Sequence, residues 1–508
     1  MPASSMKQEY AVVPKGAQIN RSSFDLGETH KTTFDHSEIA PFYWQYAFPG
    51  EVWKGSVDAF IRMSSPLDFP IMDNIKVTVH WYAVPLRILW TNFRKFFGER
   101  TDPADSISYT MPTLTASVNL ATKTAFTELA TKLNLPMQTV DLTNVGAMPF
   151  RAYNKIYNWH YRDENLQDSL EERVGDGPDS TGDYQIKQRG KRHDYFTSNL
   201  PSPQKGDAVT IGGEIAIDQN AGLNPSVWST TTESWHRLDS DAAQVDLSAT
   251  AGGANTALYP NTTINELRNA VAIQRFLEAD NRYGTRFDEI IYAHYGTEFN
   301  DVRIAPLFLG GGSGWINTSA IPNQGDLVSG NLGDLAAIAT GGLSGAGFTY
   351  AVDEPCIIMG LIMASADMSY QKGVLRKHRY STRYDLFSPE FVGIGDQATL
   401  KGEMYWTGTS TDDEVFGYNP RYEELRTGIN WISGEFNSDY ATSLDSWHLA
   451  EDFGSQPALN STFILEKSTT VERALQVATV DHFLADIQTN MRAARALPVN
   501  GVPGLARL

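Results

Sequence analysis

Alternating apolar and polar positions predict two strands in the first hundred residues. In residues 52–63 nearly every second side chain is apolar, and the same alternation returns in residues 75–83 after Pro66 and Pro70. Because successive side chains of a strand point to opposite faces, a period of two is typical of a strand with one buried face. The apolar faces consist of Trp53, Val57, Ala59, Ile61 and Met63 in the first strand and of Ile75, Val77, Val79, Trp81 and Ala83 in the second.

Two later segments predict further strands. Residues 355–366 form a continuous apolar run, which indicates a strand buried on both faces, and we interpret residues 483–497 as the last strand. The many glycines and prolines (41 and 24) favour strands joined by turns. Strands and helices do not alternate in the regular way that builds a parallel sheet. The pattern therefore favours a mainly β chain.

A period near 3.6 predicts short helices between these strands. Apolar residues recur at helical spacing between Pro85 and Gly98, which predicts one helix with a buried face formed by Leu86, Leu89, Trp90, Phe93 and Phe97. Another short helix is predicted near residues 126–133, within a long polar loop. A helical face made of Tyr153, Ile156, Tyr157 and His160 predicts a third.

The stretch 263–312 predicts two more helices. It starts with the Thr-x-x-Glu spacing of a capping box, and Gly284 separates the first helix from a second one that ends at Gly296. We interpret the glycines at 310–312 as a turn. Two helices leading into a glycine-rich turn suggest a buried joint rather than a catalytic loop.

Composition excludes several classes of protein. With 41% hydrophobic and 20% charged residues, the chain of 508 residues has the composition of an ordinary globular protein. No apolar run approaches 18 residues and the first 16 residues lack the apolar segment of a signal peptide, so we expect no membrane span and synthesis in the cytoplasm. Cys356 is the only cysteine, which excludes an internal disulfide, and its apolar neighbours predict a core position.

The sequence offers no strong catalytic or metal-binding pattern. His30 and His36 lie near three carboxylates, Asp25, Asp35 and Glu38, but their spacing matches no known metal motif. The glycine-rich region at 311–350 lacks the Gly-x-x-x-x-Gly-Lys-Ser/Thr pattern of a phosphate-binding loop. We therefore expect no metal ion and no cofactor.

Two clusters of cations interleaved with aromatic residues are candidates for DNA contact. The net charge of −19 argues against non-specific nucleic-acid binding by the whole chain, so only local clusters can bind phosphates. Cations beside aromatic faces suit phosphates and unpaired bases. A solvated loop or a contact between subunits explains the first cluster as well, and a contact between subunits explains the second; we favour these alternatives. The candidates are Lys191 and Arg192 in the cluster 187–195, Arg376, Lys377, Arg379 and Tyr380 in the cluster 376–384, and a basic tail with Arg492, Arg495 and Arg507.

Several segments carry recognisable motifs in the same order along the chain. They are NRSSFDLGETHKTTFDHSEIAPFYWQYAFPG at 20–50, MDNIKVTVHWYAVPLRILWTNFRKFFGE at 72–99, KQRGKRHDYFTSNLPSPQK at 187–205, the stretch 263–312, and FGYNPRYEELRTGINWISGEFNSDYATSLDSWHLAEDF at 416–453. Together they resemble the major capsid proteins of microviruses, which are small single-stranded-DNA phages, and in particular the gokushovirus-like branch. The last of these motifs is the most specific. The resemblance covers most of the chain and misses mainly residues 101–145 and 206–259.

The resemblance implies a fold. We expect a mainly β protein, with a single eight-stranded antiparallel viral jelly roll in two sheets and long insertions that contain short helices. Residues 1–50 would form an N-terminal arm and residues 51–508 the jelly-roll domain. An insertion at about 206–259 would form a surface protrusion.

The resemblance also implies a structural function and no enzymatic activity. Sixty copies would form a T=1 icosahedral shell around a circular single-stranded DNA genome, in a virion assembled from protein made in the bacterial cytoplasm. The implied partners are other copies of the chain, a small basic DNA-packaging protein, an internal scaffolding protein, a DNA pilot protein and a host-cell surface receptor. Sixty chains would carry about 60 × −19 = −1140 charges, so basic patches must face the genome or basic partners must bridge shell and DNA.

A second hypothesis belongs to another class of protein. A β-sandwich that binds or cleaves carbohydrates would have a similar aromatic, glycine-rich and acidic composition. Such an enzyme needs two carboxylates that flank a cleft. The chain has 60 Asp and Glu residues, and no single pair stands out.

Overall fold

The structure, a computed structural model, describes residues 21–115, 117–209, 226–229, 234–237, 264–297, 305–322, 335–477 and 479–499. Its strands are β1 Ser22–Asp25, β2 Glu28–Phe34, β3 Ala40–Ala47, β4 Val52–Met63, β5 Ile75–Pro85, β6 Ser117–Asn119, β7 Thr139–Asp141, β8 Ser226–Ser229, β9 Ser234–Arg237, β10 Leu307–Pro322, β11 Leu335–Ala351, β12 Cys356–Ala366, β13 Asp396–Leu400, β14 Val415–Pro420 and β15 Phe483–Arg495. Its α-helices are α1 Leu86–Leu89, α2 Phe93–Phe96, α3 Ala125–Lys132, α4 Met148–His160, α5 Ile264–Tyr283, α6 Phe287–Tyr295, α7 Ser461–Ile464 and α8 Thr469–Glu472. Short 3-10 turns lie at Leu142–Asn144, Thr181–Asp183, Arg376–His378, Pro389–Phe391, Lys401–Glu403, Ser410–Asp413, Glu423–Leu425, Gly434–Phe436 and Asp445–Trp447.

One antiparallel sheet contains most of the long strands. Its order is β1-β15-β4-β11-β10-β5-β12-β3, and β2 also pairs with β15. The strands β2 and β3 lie at opposite ends of this path but are consecutive in the chain, and the His30 ring donates a hydrogen bond to the Phe42 carbonyl across them at 2.9 Å. The sheet therefore curls on itself. This confirms the predicted mainly β, antiparallel, jelly-roll-like fold. The described sheet has nine strands, whereas we expected eight strands in two sheets.

The predicted strands are confirmed, and the alternation along each strand determines which of its side chains face inward. In β4, Trp53, Val57, Ala59, Ile61 and Met63 are buried while the residues between them are mostly exposed. The same pattern holds in β15, which pairs with β4 along its length. The inward side chains form the main core, in which the Trp81 ring lies 5.0 Å from Phe42 and 5.1 Å from Phe348. Cys356 is fully buried in this core, as predicted.

Helices cover the outer face of part of the sheet. The outward residues of β5 and β12, such as Tyr82 and Met359, belong to a second core with α3 and α4. This layer explains why β12 is apolar on both faces. The helices predicted near 126–133 and 153–160 are confirmed as α3 and α4. Within this layer Arg151 and Asp179 form a buried ion pair at 2.7 Å.

The predicted continuous helix over residues 86–97 is wrong. The chain forms two single turns, α1 and α2, and Trp90 between them is extended. The Trp90 indole donates to Asp176 at 2.6 Å and the Thr91 amide donates to the Val174 carbonyl at 2.9 Å. These bonds replace helical hydrogen bonds. Four of the five stripe residues are buried as predicted, but Phe97 is 63% exposed.

The interpretation of 263–312 as a buried joint is also wrong. The helices α5 and α6 are confirmed, and Gly296 ends α6 with φ +65°. However, the apolar residues Ile264, Leu267 and Val271 of α5 are exposed. The glycines at 310–312 lie inside β10, where a Cβ on Gly311 would clash with the Val79 carbonyl. Glycine there permits close backbone contact within the sheet rather than a turn.

The chain divides into two units, residues Met1–Pro201 with Asn300–Leu508, and Ser202–Phe299. The first unit contains the sheet, its helical layer and a third core around Tyr195, Phe196 and Tyr370. The second contains α5, α6 and the antiparallel pair of β8 and β9. Of the segment expected to form an arm, residues 22–47 contribute β1, β2 and β3. Residues 1–20 and most of the segment 206–259, including the expected protrusion, lie outside the described residues.

Candidate nucleic-acid interface

The first basic cluster has a buried lysine at its centre. The Lys191 ammonium lies 2.8 Å from the Glu451 carboxylate and 4.3 Å from the centroid of the Phe463 ring, and its side chain is fully buried. Burial lowers the pKa of Lys191, and the charge of Glu451 opposes this shift. An ammonium held in this way joins two distant segments and has no surface left for a phosphate.

The neighbouring cations differ in exposure. Arg192 is 77% exposed, and its only ion pair in the described residues is a long contact of 3.5 Å with Asp367. The Lys187 ammonium donates to Gln185 at 3.2 Å, and burial lowers the pKa of Lys187. The sequence pattern did not distinguish Lys191 from its neighbour Arg192, whereas the structure buries Lys191 and leaves Arg192 at the surface.

The second cluster is mostly bound to carboxylates of its own chain. Arg376 donates to the Ala398 carbonyl at 2.7 Å and to Glu403 at 3.2 Å. Arg379 pairs with the Asp413 carboxylate and lies over the Trp406 ring, with the guanidinium carbon 5.3 Å from its centroid. These two arginines therefore hold loops together.

Tyr380 and Lys377 complete this cluster. The Tyr380 hydroxyl donates to Glu424 at 3.0 Å, and partial burial together with this carboxylate raises the pKa of Tyr380 to about 12. Lys377 is exposed and makes no ion pair within the described ranges. Lys377 is thus the member of the second cluster best placed to meet a ligand.

Glu403 connects the two clusters, which lie far apart in the sequence. Its carboxylate accepts from the Tyr195 hydroxyl at 2.7 Å and from Arg376 at 3.2 Å, and Glu403 is almost fully buried. Burial raises the pKa of Glu403, and Arg376 opposes this shift. Nothing in the local sequence KGEMYW distinguishes this glutamate, so sequence reasoning missed it.

The basic tail and the histidines occupy different places. Arg495 pairs with Glu51 at 3.0 Å and lies over Trp53, whereas Arg492 is exposed and Arg507 lies outside the described residues.

The His36 ring is buried 2.7 Å from Glu466. Within the described ranges no group of three or more His, Cys, Asp and Glu side chains could hold a metal ion. No helix in the described part of the chain is both long and apolar enough to cross a bilayer.

Comparison of the sequence with known proteins identifies its family. A family model described as "Capsid protein (F protein)" matches residues 12–505. The chain is 34% identical to "Capsid protein VP1" of Bdellovibrio phage phiMH2K, over 98% of this chain and 97% of that relative. It is 31% identical to "Capsid protein VP1" of Chlamydia phage 1, over 99% of both chains, and 29% identical to that of Spiroplasma virus 4, over 97% of both.

These matches confirm the resemblance to microvirus major capsid proteins, and they give no support to the carbohydrate alternative. They extend through the motifs that carried the resemblance and through the regions that it missed. With a family match over nearly the whole chain and two relatives above 30% identity at almost full coverage, the chain belongs to the capsid protein (F protein) family.

Proposed function

We propose that sixty copies of this chain form a T=1 icosahedral shell around a circular single-stranded DNA genome. As a member of a capsid protein family, the chain has a structural role in a virion. The observation that carries the proposal is the family match over residues 12–505, which includes the whole curled sheet and its insertions. A closed icosahedral shell requires several different contact surfaces on each subunit. The long segments between the strands offer such surfaces.

Expression of the chain followed by electron microscopy and sedimentation tests this proposal. Sixty chains of 56.3 kDa would form a particle of about 3.4 MDa. We expect closed shells of this mass, with smaller symmetric assemblies as intermediates. A chain that stays monomeric at high concentration, under conditions in which it is folded, would contradict the proposal.

We propose that the exposed cations Lys377 and Arg192 contact the genome. The other four candidates, Arg376, Arg379, Tyr380 and Lys191, have partners inside the chain, and we assign them to fixing the loops that carry the two exposed ones. The sequence alone favoured other roles for the two clusters. The support for DNA contact is that Lys377 and Arg192 are exposed in a chain of net charge −19, where phosphates require local positive charge.

A double substitution tests the DNA contact. Lys377→Ser with Arg192→Ser should lower genome retention in assembled particles and reduce its salt dependence, because fewer counterions are released. Lys54→Ser with Arg100→Ser is the matched control, since it removes one exposed lysine and one exposed arginine outside the clusters. Particles that no longer form after the first change would place the cations at a subunit contact instead.

We propose the remaining partners on the basis of the family and of the chain's net negative charge. A small basic packaging protein would offset the acidic shell, and an internal scaffolding protein, a DNA pilot protein and a host receptor would complete the virion, whose subunits are made in the bacterial cytoplasm. We also propose that residues 206–259 project outward. Replacing them with a short linker should leave particles that assemble but attach poorly to cells, and complete loss of assembly would contradict this.

A further inference from the structure

An ordered loop presents five large apolar side chains to solvent within eleven residues. We call residues 384–394 the apolar loop. Its exposed side chains are each 44–62% accessible, and they are Tyr384, Leu386, Phe387, Val392 and Ile394. With about half of a side-chain surface of roughly 200 Å² exposed on each, the loop offers about 500 Å² of apolar surface. So many exposed apolar side chains in so short a segment are unusual on a monomer and indicate a contact site.

Tyr422 fixes the backbone of the apolar loop. Its hydroxyl donates to the Leu386 carbonyl at 3.3 Å and accepts from the Ser388 amide at 3.3 Å. The Phe387 ring meets the Tyr422 ring edge to face at 5.2 Å. Tyr422 itself is buried and has φ +65°, a conformation that only the surrounding structure can maintain. The loop is therefore held in place before it meets a partner, which reduces the entropy lost on association.

The N-terminal end of the loop is also closed by local hydrogen bonds. The Asp385 carboxylate accepts from the amides of Ser381 and Thr382 at 3.0 and 2.7 Å. These bonds hold the pKa of Asp385 below its ordinary value. The exposed side chains thus stand on a turn whose polar groups are already satisfied within the chain.

Two arginines lie against the rings of the loop without a carboxylate partner. The Arg383 guanidinium lies 4.8 Å from the centroid of the Tyr384 ring, and that of Arg421 lies 5.6 Å from the Phe391 ring. Neither forms an ion pair in the part of the chain that the structure describes. The loop also carries two carboxylates, Asp385 and the exposed Glu390, so charges of both signs surround its apolar side chains. An apolar centre with a polar rim that contains arginine is typical of a contact between protein subunits, and in a shell the neighbouring subunit is a second copy of this chain.

We propose that the apolar loop is a contact between neighbouring copies of this chain in the assembled shell. This inference rests on the proposed function and names one of the surfaces that the shell requires. Three of its five exposed side chains, Leu386, Val392 and Ile394, are aliphatic and give bases no ring to stack on, which favours protein over single-stranded DNA. A standard interface buries about 800 Å² per partner, so about 500 Å² of apolar surface is enough for its centre.

A pair of double variants tests the contact. Leu386→Ser with Ile394→Ser removes apolar surface while the ring contacts of Tyr422 and Phe387 remain. Met72→Ser with Ile107→Ser is the matched control, because both side chains are exposed and lie in other segments. We expect particle yield to fall at least tenfold in the loop variant and to stay near that of the unsubstituted chain in the control, with unchanged circular dichroism and thermal unfolding of the subunits.

The outcomes separate this inference from the proposed function. If the loop variant assembles as well as the unsubstituted chain, the loop assignment alone is overturned. An equal loss in the control variant overturns it as well. If the unsubstituted chain forms no particles, the proposed function fails.

A cysteine substitution gives a second test that does not depend on loss of assembly. Cys356 is buried and burial raises the pKa of its thiol to about 12, so the natural thiol is unreactive in the folded chain. In a Leu386→Cys variant, a maleimide should label the new thiol rapidly in free subunits and at least tenfold more slowly in DNA-free particles. Equal labelling in both overturns the proposal, and so does protection that appears only in DNA-filled particles.

Discussion

Replacing Lys191 with methionine should destabilise the chain, because it leaves a carboxylate buried without its cation. The Lys191 ammonium lies 2.8 Å from Glu451, and both side chains are almost completely buried. Methionine keeps an unbranched apolar side chain beside the Phe463 and Phe453 rings, over which the ammonium lies. The substitution therefore isolates the loss of charge from the loss of packing.

The expected magnitude follows from the burial of this pair. Removing one partner of a buried ion pair costs about 3–5 kcal/mol, since the remaining charge stays desolvated. We expect about 3 kcal/mol for Lys191→Met, at the lower end because the stem is retained. Replacing both Lys191 and Glu451 with methionine should recover much of this loss, because no unpaired charge remains. The two substitutions are thus expected to be strongly non-additive.

Urea unfolding of the unassembled subunit measures this effect, and Arg192→Met is the control. Arg192 is adjacent in sequence but 77% exposed, so its substitution should change the free energy of unfolding by less than about 0.5 kcal/mol. In assembled particles we expect the opposite order of effects. Arg192→Met should reduce DNA retention more than Lys191→Met does. If Lys191→Met unfolds at the same urea concentration as the unsubstituted chain and loses DNA as Arg192→Met does, the buried ion pair does not have the role assigned to it.

Two further predictions concern the helical layer and the acid limit of stability. Trp90→Ala should cost about 3–5 kcal/mol in urea unfolding because the ring is fully buried, whereas Phe97→Ala should cost much less because its ring is mostly exposed; equal costs would contradict the burial assigned to the two rings. Burial alone would raise the pKa of Asp481, but hydrogen bonds from Lys123 and Thr33 hold it below its ordinary value of 3.8. This carboxylate therefore stabilises the fold above pH 3.8 and loses that effect as the pH falls through its folded pKa, so Asp481→Asn should flatten the stability profile below about pH 4, and an unchanged profile would contradict the assignment.

The strands of the sheet could be predicted because their pattern is local. A period of two places the same residues inward whatever the partner strand is, so the alternation in residues 52–63 predicted both the strand and its buried face. Residues 355–366 are apolar on both faces because both faces of this strand are buried, as the sequence predicted. The family motifs added the antiparallel, curled arrangement, which alternation alone does not specify.

Other features depended on partners that are distant in the sequence. The stripe at 86–97 has helical spacing, but hydrogen bonds to residues 174–176 extend the backbone at Trp90. The glycines at 310–312 have the composition of a turn, but the close approach of β5 makes them part of a strand. In both places contacts between segments override a local preference.

The sequence by itself determined the strand pattern, the family and the positions of the two basic clusters. Only the tertiary structure decided which cations remain at the surface. Lys191 and Arg192 are adjacent and chemically alike, yet the carboxylate that buries Lys191 is Glu451, 260 residues away. A side chain's burial and pairing depend on which segments meet in space, and a pattern of neighbouring residues does not contain that information.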